Sequence, residues 1–331
     1  MRYRFLGLNG FSVSVLSFGA WQMGDEAFWG ESAGADAQRT VDMALDAGIN
    51  LFDTAEMYGG GESERLLGQC LGKRRDNVLI ATKVSVENCS PERLRASLEN
   101  SLQRLHTDRI DLYQVHWPPR DVPFAEVHGE LARLREEGKI RAIGLSNFGP
   151  QDLHDWHDIG DAVSNQIGYN ALFRAPEYET IPTSRDYELG ILAYMPLMQG
   201  LLTGRYRRIE DIPMMRRRTR HFSRIRPGTR HGEDGHEQLL VATVTELREF
   251  AEAVGLTPAV LALAWLTAQP GVSSVLLGAR NPAQLQSNLA AADLNIGPAA
   301  IAQLDEITFP LKQSMGFNCD MWETASSSRI H

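Results

Sequence analysis

Apolar runs and amphipathic segments alternate along most of the chain. The apolar runs predict eight short β-strands, and several are apolar on both faces, as is typical of strands buried between helices. The runs cover residues 15–20, 50–55, 78–84, 110–116, 141–147, 162–169, 191–197 and 272–278. The segments between them carry apolar residues at helical spacing. Strand and helix that alternate eight times predict the α/β class and a parallel sheet closed into a (β/α)8 barrel, the TIM barrel.

The sequence also predicts elements that accompany the barrel strands. Asn9 and Gly10 predict an opening β-hairpin that caps the barrel. A helix is expected over 90–105, with Ser90 capping it and Pro91 in its first turn, and another over 124–139. A long loop after strand seven, at 198–236, and a C-terminal tail account for the remaining length. No repeat or low-complexity linker interrupts the pattern, so residues 1–331 are expected to form a single domain.

Composition narrows the class of protein. With 43% hydrophobic and 23% charged residues, the chain is typical of a soluble globular protein. No window approaches the ~18 apolar residues of a membrane span, and the start lacks the pattern of a secretory signal. The three cysteines are far apart and in no metal or redox spacing, which favours a cytoplasmic location. The net charge of -9 argues against nucleic acid as the main partner. Nothing in the sequence indicates an oligomeric state.

Polar side chains end several of the predicted strands. In a parallel barrel the carboxyl ends of the strands meet at one face, where active sites lie. A loop cap would explain each of these side chains alone, but a buried lysine or histidine without a partner is costly. Together they predict one shared site at the barrel mouth. The set comprises Asp53, Lys83, His116, Ser146, Asn147 and Gln166.

Tyr58 follows Asp53 closely and is the candidate proton donor. A tyrosine ordinarily has a pKa of about 10, and a nearby ammonium group lowers that pKa. We expect Lys83 to lower the pKa of Tyr58, and Asp53 to keep Lys83 charged and oriented. His116 would hydrogen-bond a carbonyl oxygen beside the Tyr58 hydroxyl. This set suits carbonyl reduction by a hydride from elsewhere. A metal site at His116 and Asp53 is the alternative, but no second histidine or cysteine lies at ligand spacing.

The three glycines at 59–61 raise the question of a phosphate-binding loop. No Gly-Lys-Ser/Thr follows them, and they do not form Gly-x-Gly-x-x-Gly directly after a strand. Glu62 and Glu64 would lie in the first turn of the next helix and repel a phosphate. We therefore expect slack chain that turns sharply away from Tyr58 and binds no ligand.

Five motifs, in order, resemble the aldo-keto reductase superfamily from about residue 3 to residue 308. They read FDTAEMYGGGESERLLG, IATKV, DLYQVHWP, IRAIGLSNF and GARNPAQLQSN. The resemblance implies a (β/α)8 fold, NADP(H), no metal, and a catalytic tetrad at Asp53, Tyr58, Lys83 and His116. In that family the tyrosine is the general acid/base, the lysine and aspartate tune it, and the histidine orients the carbonyl. These roles agree with those argued from the residues.

The segment after the last predicted strand suggests a phosphate site. Asn281 and Pro282 open a helix whose free N–H groups face the strand end, and Arg280 adds a fork-shaped cation. The alternative is a helix capped by Asn281 beside a surface arginine. The resemblance implies that the adenosine end of NADP(H) binds here, with Arg280 near the 2′-phosphate. The positions implied are Gly278, Arg280, Gln284 and Asn288.

The resemblance also implies positions for the rest of the cofactor. Ser146, Asn147 and Gln166 match residues that hold the nicotinamide carboxamide, and Tyr194 matches an aromatic residue that stacks on the ring. Met195 departs from the family pattern, because many relatives carry serine or glycine there. The remaining cofactor positions, of which the last three line the pyrophosphate, are Trp21, Pro196, Leu197, Gly200 and Arg205.

Ten arginines lie between residues 205 and 230. They form a solvated loop that pairs with acidic surfaces, a lid that clamps cofactor phosphates or steers an anionic substrate, or a nucleic-acid contact. The net charge disfavours the last. The resemblance favours the lid, because the family's loop after strand seven folds over the cofactor.

Aromatic residues follow several strand ends and predict the substrate pocket. Such walls suit sugar faces and apolar aldehydes alike, and we favour a carbohydrate-type carbonyl or hydroxy compound. The alternative is that Phe28 and Trp29 pack a loop. The tail at 319–331 reaches either the mouth or a neighbouring subunit. The candidate substrate residues are Trp21, Phe28, Trp29 and Trp117.

Two functions follow from the sequence. The first is an NADP-dependent reductase or dehydrogenase acting on CH–OH and C=O groups. The second is a cofactor-binding regulatory subunit with little turnover, because some superfamily members serve ion channels as redox-sensing partners. Retention of the tetrad does not separate the two, and we favour the enzyme.

Overall fold

The computed structural model describes residues 1–29 and 34–331. Eight parallel strands close into a barrel, which confirms the predicted fold. Each predicted apolar run overlaps one strand, although the fifth and seventh barrel strands begin one residue before their runs. The strands are Leu16–Gly19 (β3), Leu51–Asp53 (β4), Leu79–Val84 (β5), Ile110–Val115 (β6), Ile140–Ser146 (β7), Ser164–Gly168 (β8), Gly190–Tyr194 (β9) and Val272–Gly278 (β10). The seventh barrel strand ends at Tyr194 rather than residue 197, because Met195 takes a left-handed backbone conformation.

The predicted hairpin caps the amino-terminal end of the barrel. Strands Tyr3–Phe5 (β1) and Ser12–Ser14 (β2) pair antiparallel, with Tyr3 opposite Ser14. Leu6 and Val13 pack against apolar residues that fill the barrel interior, including Leu51 and Leu112. The hairpin therefore closes this end, and the opposite end, where the strands finish, is left as the mouth.

Helices alternate with the strands, and their buried faces pack on the barrel. The helices are Trp21–Gly24 (α1), Glu26–Trp29 (α2), Gly34–Asp46 (α3), Glu62–Leu71 (α4), Pro91–Leu105 (α5), Phe124–Glu136 (α6), Pro150–His157 (α7), Thr180–Asp186 (α8), Glu237–Ala253 (α9), Pro258–Ala268 (α10), Pro282–Leu289 (α11) and Gly297–Met315 (α12). Pro91 begins α5 as predicted. Ser90 occupies the N-cap position, but its side chain makes no capping hydrogen bond, contrary to our expectation.

Short 3₁₀ segments complete the secondary structure. They are Tyr58–Gly61, Gly72–Asn77, Val86–Asn88, Ala175–Glu177, Met198–Thr203, Ile209–Asp211, Met214–Arg216 and Ala325–Ser327. Three of them lie in the long segment between β9 and α9. Within residues 1–29 and 34–331, no single helix has the length and apolarity to cross a membrane. Helices α9 and α10 meet the length and apolarity criteria only when they are taken together, and a bend of 95° separates them.

Candidate active site

Four predicted residues converge at the mouth. Asp53 ends β4, Lys83 lies on β5 beside it, and His116 follows β6, so parallel pairing brings the three together. The Lys83 Nζ donates to Asp53 Oδ1 and to the carbonyl oxygen of Thr54, both at 2.7 Å. The same ammonium lies 3.4 Å from the Tyr58 hydroxyl. The His116 ring stands edge-on to the Tyr58 ring, with centroids 5.8 Å apart.

The electrostatics of Tyr58 differ from our expectation. Burial, together with the charge of Asp53, holds the pKa of Tyr58 well above its usual 10.0. Burial also lowers the pKa of Lys83, although Asp53 opposes this. The lowering expected from Lys83 does not prevail, because burial of the phenol is the larger effect and the negative charge of Asp53 adds to it. Tyr58 is therefore held firmly protonated, as a proton donor must be at the start of a reduction.

His116 is held neutral. Burial, and then the charge of Lys83, keeps the pKa of His116 well below 6.5. Its Nδ1 atom is buried and has no hydrogen-bond partner in the described part of the chain. A neutral imidazole donates one N–H hydrogen bond, which suits it to hold a carbonyl oxygen without transferring its own charge.

The glycine turn fixes where Tyr58 points. Gly59, Gly60 and Gly61 have φ values of 58°, 64° and 95°, in the left-handed region that favours glycine. Glu62 and Glu64 lie in the first turn of α4, as expected. The expectation of slack chain was wrong, because a Cβ atom at Gly59 would lie 1.9 Å from the Gly24 carbonyl oxygen. The turn is packed tightly against α1.

Asp53 holds more of the site together than the sequence suggested. Its Oδ2 accepts hydrogen bonds from Gln166 Nε2 at 2.8 Å and from Gln114 Nε2 at 3.2 Å. Gln114 was missed by sequence reasoning. The available signal was its position two residues before His116, because alternate residues of a strand share a face.

A second hydrogen-bonded group lies beside the tetrad. The Tyr194 hydroxyl donates to Asn147 Oδ1 at 2.8 Å. The Asn147 Nδ2 donates to the His116 carbonyl oxygen at 3.0 Å and to Ser146 Oγ at 3.1 Å. Ser146, Asn147 and Tyr194 are thus brought next to the tetrad, as Gln166 is through Asp53.

The loop after β9 carries the predicted positions Pro196, Leu197, Gly200 and Arg205. Three of its non-glycine residues have left-handed φ values: 55° at Met195, 44° at Met198 and 54° at Gln199. The Met195 carbonyl oxygen accepts a hydrogen bond from Asn170 Nδ2 at 3.0 Å. The Arg205 guanidinium lies over the Tyr206 ring, 5.1 Å from its centroid. Such strained backbone clusters at ligand-binding sites.

The segment after β10 has features of both interpretations. The Asn281 side chain caps α11 by accepting from the Gln284 N–H at 3.0 Å, as the simpler alternative proposed. The Arg280 guanidinium, however, reaches the Trp29 carbonyl oxygen at 3.2 Å, and its backbone N–H donates to Gln284 Oε1. Asn288 is buried on α11. A Cβ atom at Gly278 would contact Gln22, another residue that sequence reasoning missed.

Aromatic side chains form two walls at the mouth. Trp21 stacks on Tyr58 with centroids 5.7 Å apart and contacts Trp29 at 5.2 Å and Phe28 at 4.9 Å. On the other side Trp117 contacts Trp322, with centroids 6.1 Å apart.

Trp322 belongs to the C-terminal tail and was also missed. Its ring lies parallel to that of Tyr194, with centroids 6.4 Å apart. The Arg329 guanidinium covers Trp117, 3.7 Å from the ring centroid, and pairs with Asp320. Of the two alternatives for this segment, the structure places it on the mouth of its own barrel.

The arginines of the arginine-rich loop (residues 205–230) lie in two different environments. Within the described ranges, five of its arginines pair with carboxylates, and four of these are at least partly exposed, as in a solvated loop, whereas Arg220 is buried. Arg216 instead lies over Trp29, 5.2 Å from the ring centroid, and Arg218 over Phe28 at 5.0 Å. The Arg216 guanidinium also donates to the Gln199 carbonyl oxygen at 3.2 Å. This end of the loop therefore joins the aromatic wall to the loop after β9.

Comparison with known proteins gives a consistent answer. Residues 15–308 match the model of the aldo/keto reductase family. The chain is 33% identical to aldo-keto reductase YhdN of Bacillus subtilis, over 87% of each chain. It is 32% identical to the NADH-specific methylglyoxal reductase of Escherichia coli, over 93% of this chain and 98% of that protein.

Solved structures agree. An aldo-keto reductase from Klebsiella pneumoniae in complex with NADPH superposes with a TM-score of 0.73 at 28% identity, covering 93% of this chain and 96% of that one. The chain is an oxidoreductase that belongs to the aldo/keto reductase family.

Proposed function

We propose that this protein reduces a small carbonyl compound, an aldehyde, ketone or sugar, with NADPH, and that Tyr58 is the general acid/base. The observation that carries the proposal is the buried chain of contacts from Asp53 through Lys83 to Tyr58, with neutral His116 beside it. A firmly protonated phenol next to a neutral imidazole suits proton donation to a carbonyl oxygen.

The residues divide the reduction between them. The His116 N–H donates a hydrogen bond to the carbonyl oxygen and fixes it beside the Tyr58 hydroxyl. A nicotinamide cofactor held at the mouth would supply the hydride for the carbonyl carbon. The oxygen then takes the Tyr58 proton, which yields the alcohol. Lys83 stabilises the phenolate left on Tyr58, and Asp53 keeps the ammonium in place at 2.7 Å.

The mouth fits a nicotinamide dinucleotide. Gln22 Oε1 and Trp29 Nε1 are buried polar atoms with no partner among the described residues, next to Gly278 and Arg280. Unpaired buried polar atoms are uncommon unless a ligand or water satisfies them. We assign the carboxamide to Ser146, Asn147 and Gln166, the ring to Tyr194 and Trp21, the pyrophosphate to Leu197, Gly200 and Arg205, and the adenosine end to Gly278, Arg280, Gln284 and Asn288, with Pro196 as a further cofactor position.

The preference for NADPH over NADH rests on Arg280. Its guanidinium has five donors and uses one on the Trp29 carbonyl, which leaves others for a 2′-phosphate. A relative that is NADH-specific shows that the opposite preference occurs in the family. Arg280→Met should therefore weaken NADPH binding and leave NADH binding nearly unchanged.

The substrate pocket lies between the two aromatic walls. Trp21 and Trp29 form one side, and Trp117 with Trp322 forms the other. Flat aromatic faces pack against the apolar faces of sugars and against alkyl chains. We infer a carbohydrate-type or other small carbonyl compound as substrate.

The experiment measures oxidation of NADPH and of NADH against a panel of aldoses, small aldehydes and ketones, together with cofactor binding. Tyr58→Phe should lose turnover by roughly a hundredfold or more and keep its cofactor affinity. Tyr3→Phe, on the distant hairpin, is the matched control and should behave as wild type. Cofactor binding without turnover on any carbonyl would favour the regulatory subunit. Failure to bind either cofactor would overturn the proposal.

A further inference from the structure

Two buried amide side chains meet on the far oxygen of Asp53. Gln114 on β6 and Gln166 on β8 both donate to Asp53 Oδ2, while Lys83 donates to Oδ1. Gln114 is fully buried, and Gln166 and Asp53 are 2% and 3% exposed. The carboxylate thus links the catalytic lysine to a residue proposed to hold the cofactor.

These contacts fix which way each amide faces. A carboxylate only accepts hydrogen bonds, so the nitrogen of each amide must point at Asp53. The Gln114 Oε1 then accepts from Gln166 Nε2 at 3.4 Å, which ties the two amides together. The oxygen of a planar amide lies on the other side from its nitrogen. Gln166 Oε1 is therefore directed away from Asp53 as an acceptor for another donor.

We propose that Gln114 is a positioning residue that couples cofactor binding to proton donation. With Asp53, it orients the Gln166 amide so that Oε1 accepts from the carboxamide of the cofactor. The same contact fixes the Asp53 carboxylate so that Oδ1 faces Lys83 and, through it, Tyr58. This inference rests on the proposed function, because it needs a nicotinamide cofactor in the mouth.

The local packing argues against a purely structural role for Gln114. Apart from its hydrogen bonds to Asp53 and Gln166, it shares its space with Leu112 Cδ1 and Ser164 Oγ, which lie 3.0 Å from the position of a Cβ atom at Gly144. An apolar side chain of the same size would fill this space without the cost of burying an amide. A Cβ atom at Gly144 would lie 2.8 Å from the Gln114 Cγ atom, so glycine at that position leaves the space that the glutamine occupies.

The test compares Gln114→Met and Gln114→Glu with Leu112→Met. Leu112→Met changes the same strand and the same interior without a contact to Asp53, and it conserves volume. Two quantities are measured for each folded variant: the dissociation constant of the reduced cofactor without a carbonyl, and the single-turnover rate of hydride transfer across a pH series. Urea unfolding verifies that each variant is folded.

Gln114→Met should slow hydride transfer by about tenfold, or ~1.4 kcal/mol, and weaken cofactor binding several-fold, because a hydrogen bond to a charged group is lost. Gln114→Glu should be slower still near neutral pH, where two carboxylates face each other. It should recover relative to wild type as the pH falls, because a protonated carboxyl again donates to Asp53.

Either of two results would overturn this inference and leave the proposed function intact. Gln114→Met could match Leu112→Met in both rate and dissociation constant, or the loss in Gln114→Glu could be independent of pH. If wild-type protein binds neither NADPH nor NADH, the proposed function fails first, and the coupling fails with it. The wild-type titration separates the two failures.

Discussion

The glycine turn after Tyr58 allows one structural argument to be tested with a matched pair of variants. Gly59 and Gly60 have almost the same backbone conformation, with φ values of 58° and 64°. Their surroundings differ completely. A Cβ atom at Gly60 would meet no atom within 4 Å, whereas one at Gly59 would lie 1.9 Å from the Gly24 carbonyl oxygen. Alanine at each position therefore separates the backbone cost from the packing cost.

The expected losses in the free energy of unfolding follow from the backbone cost and the packing cost. An L-residue in the left-handed region costs roughly 1–2 kcal/mol, and both alanine variants should lose that much. At Gly59 the two backbones must also move apart by about 1 Å before the contact reaches 3.0 Å. Overpacking of this kind costs a further ~1–3 kcal/mol. Gly60→Ala should thus lose about 1 kcal/mol, and Gly59→Ala about 3 kcal/mol, of the free energy of unfolding.

Urea unfolding gives the free energies, and the rate of carbonyl reduction gives the second readout. The displaced contact joins Tyr58 to the end of α1, which begins with Trp21. Gly59→Ala should therefore also slow reduction, while Gly60→Ala should retain most of it. Equal losses of stability in the two variants would refute the packing argument. Full activity in Gly59→Ala would refute the claim that this contact fixes Tyr58.

Two further predictions concern pH. Neither His116 nor Tyr58 should produce an inflection in the rate of reduction between pH 6.5 and 10, because His116 is neutral above its lowered pKa and Tyr58 stays protonated below its raised pKa. Burial lowers the pKa of Lys83, so a fall of the rate toward pH 10 is expected from loss of that ammonium. An inflection in this range that shifts in Tyr58→Phe or His116→Asn would contradict the prediction. Burial lowers the pKa of His221 to about 4. Between pH 6.5 and 4 the unfolded chain binds a proton that the folded chain does not, so stability should fall by about 3 kcal/mol as the pH drops. Urea unfolding over this range should show a smaller fall in His221→Gln, and an unchanged fall would exclude His221 as its source.

Much of the fold was predictable because its physical cause is local. A strand buried on both faces must be apolar along its length, and each of the eight predicted runs overlaps a barrel strand. The tetrad positions were predictable for a related reason, since an ionisable group at the end of an apolar run is costly to bury unless it has a partner there. Asp53, Lys83 and His116 follow from that rule, and Tyr58 from its place after Asp53.

The contacts that were missed depend on the folded chain. Gln114 sits inside an apolar run, two residues before His116, and its partners Asp53 and Gln166 are known only when β4 and β8 bring them to it. Trp322 is far from the tetrad in sequence, and only the return of the tail places it against Tyr194. The Tyr58 pKa was predicted in the wrong direction because burial, the larger effect there, cannot be read from residue order.

The backbone conformation at Met195 also depends on contacts that only the folded chain makes. Among the described residues, six non-glycine positions have left-handed φ values, and four of these border the mouth. Asparagine tolerates that region, as at Asn147, but methionine and glutamine have no local reason to adopt it. The sequence of the loop after β9 therefore disfavours the conformation that the loop has.

Contacts from elsewhere in the chain must hold it. Asn170 donates to the Met195 carbonyl oxygen at 3.0 Å, and Arg216 donates to the Gln199 carbonyl oxygen at 3.2 Å. Backbone strain persists only where the surroundings determine the conformation, and it concentrates at ligand-binding sites. The strained loop carries the residues assigned to the pyrophosphate, and Arg216 also covers Trp29 of the aromatic wall. Arg216 thus supports both the loop after β9 and one side of the proposed substrate pocket. The arginine-rich segment therefore does more than pair with surface carboxylates.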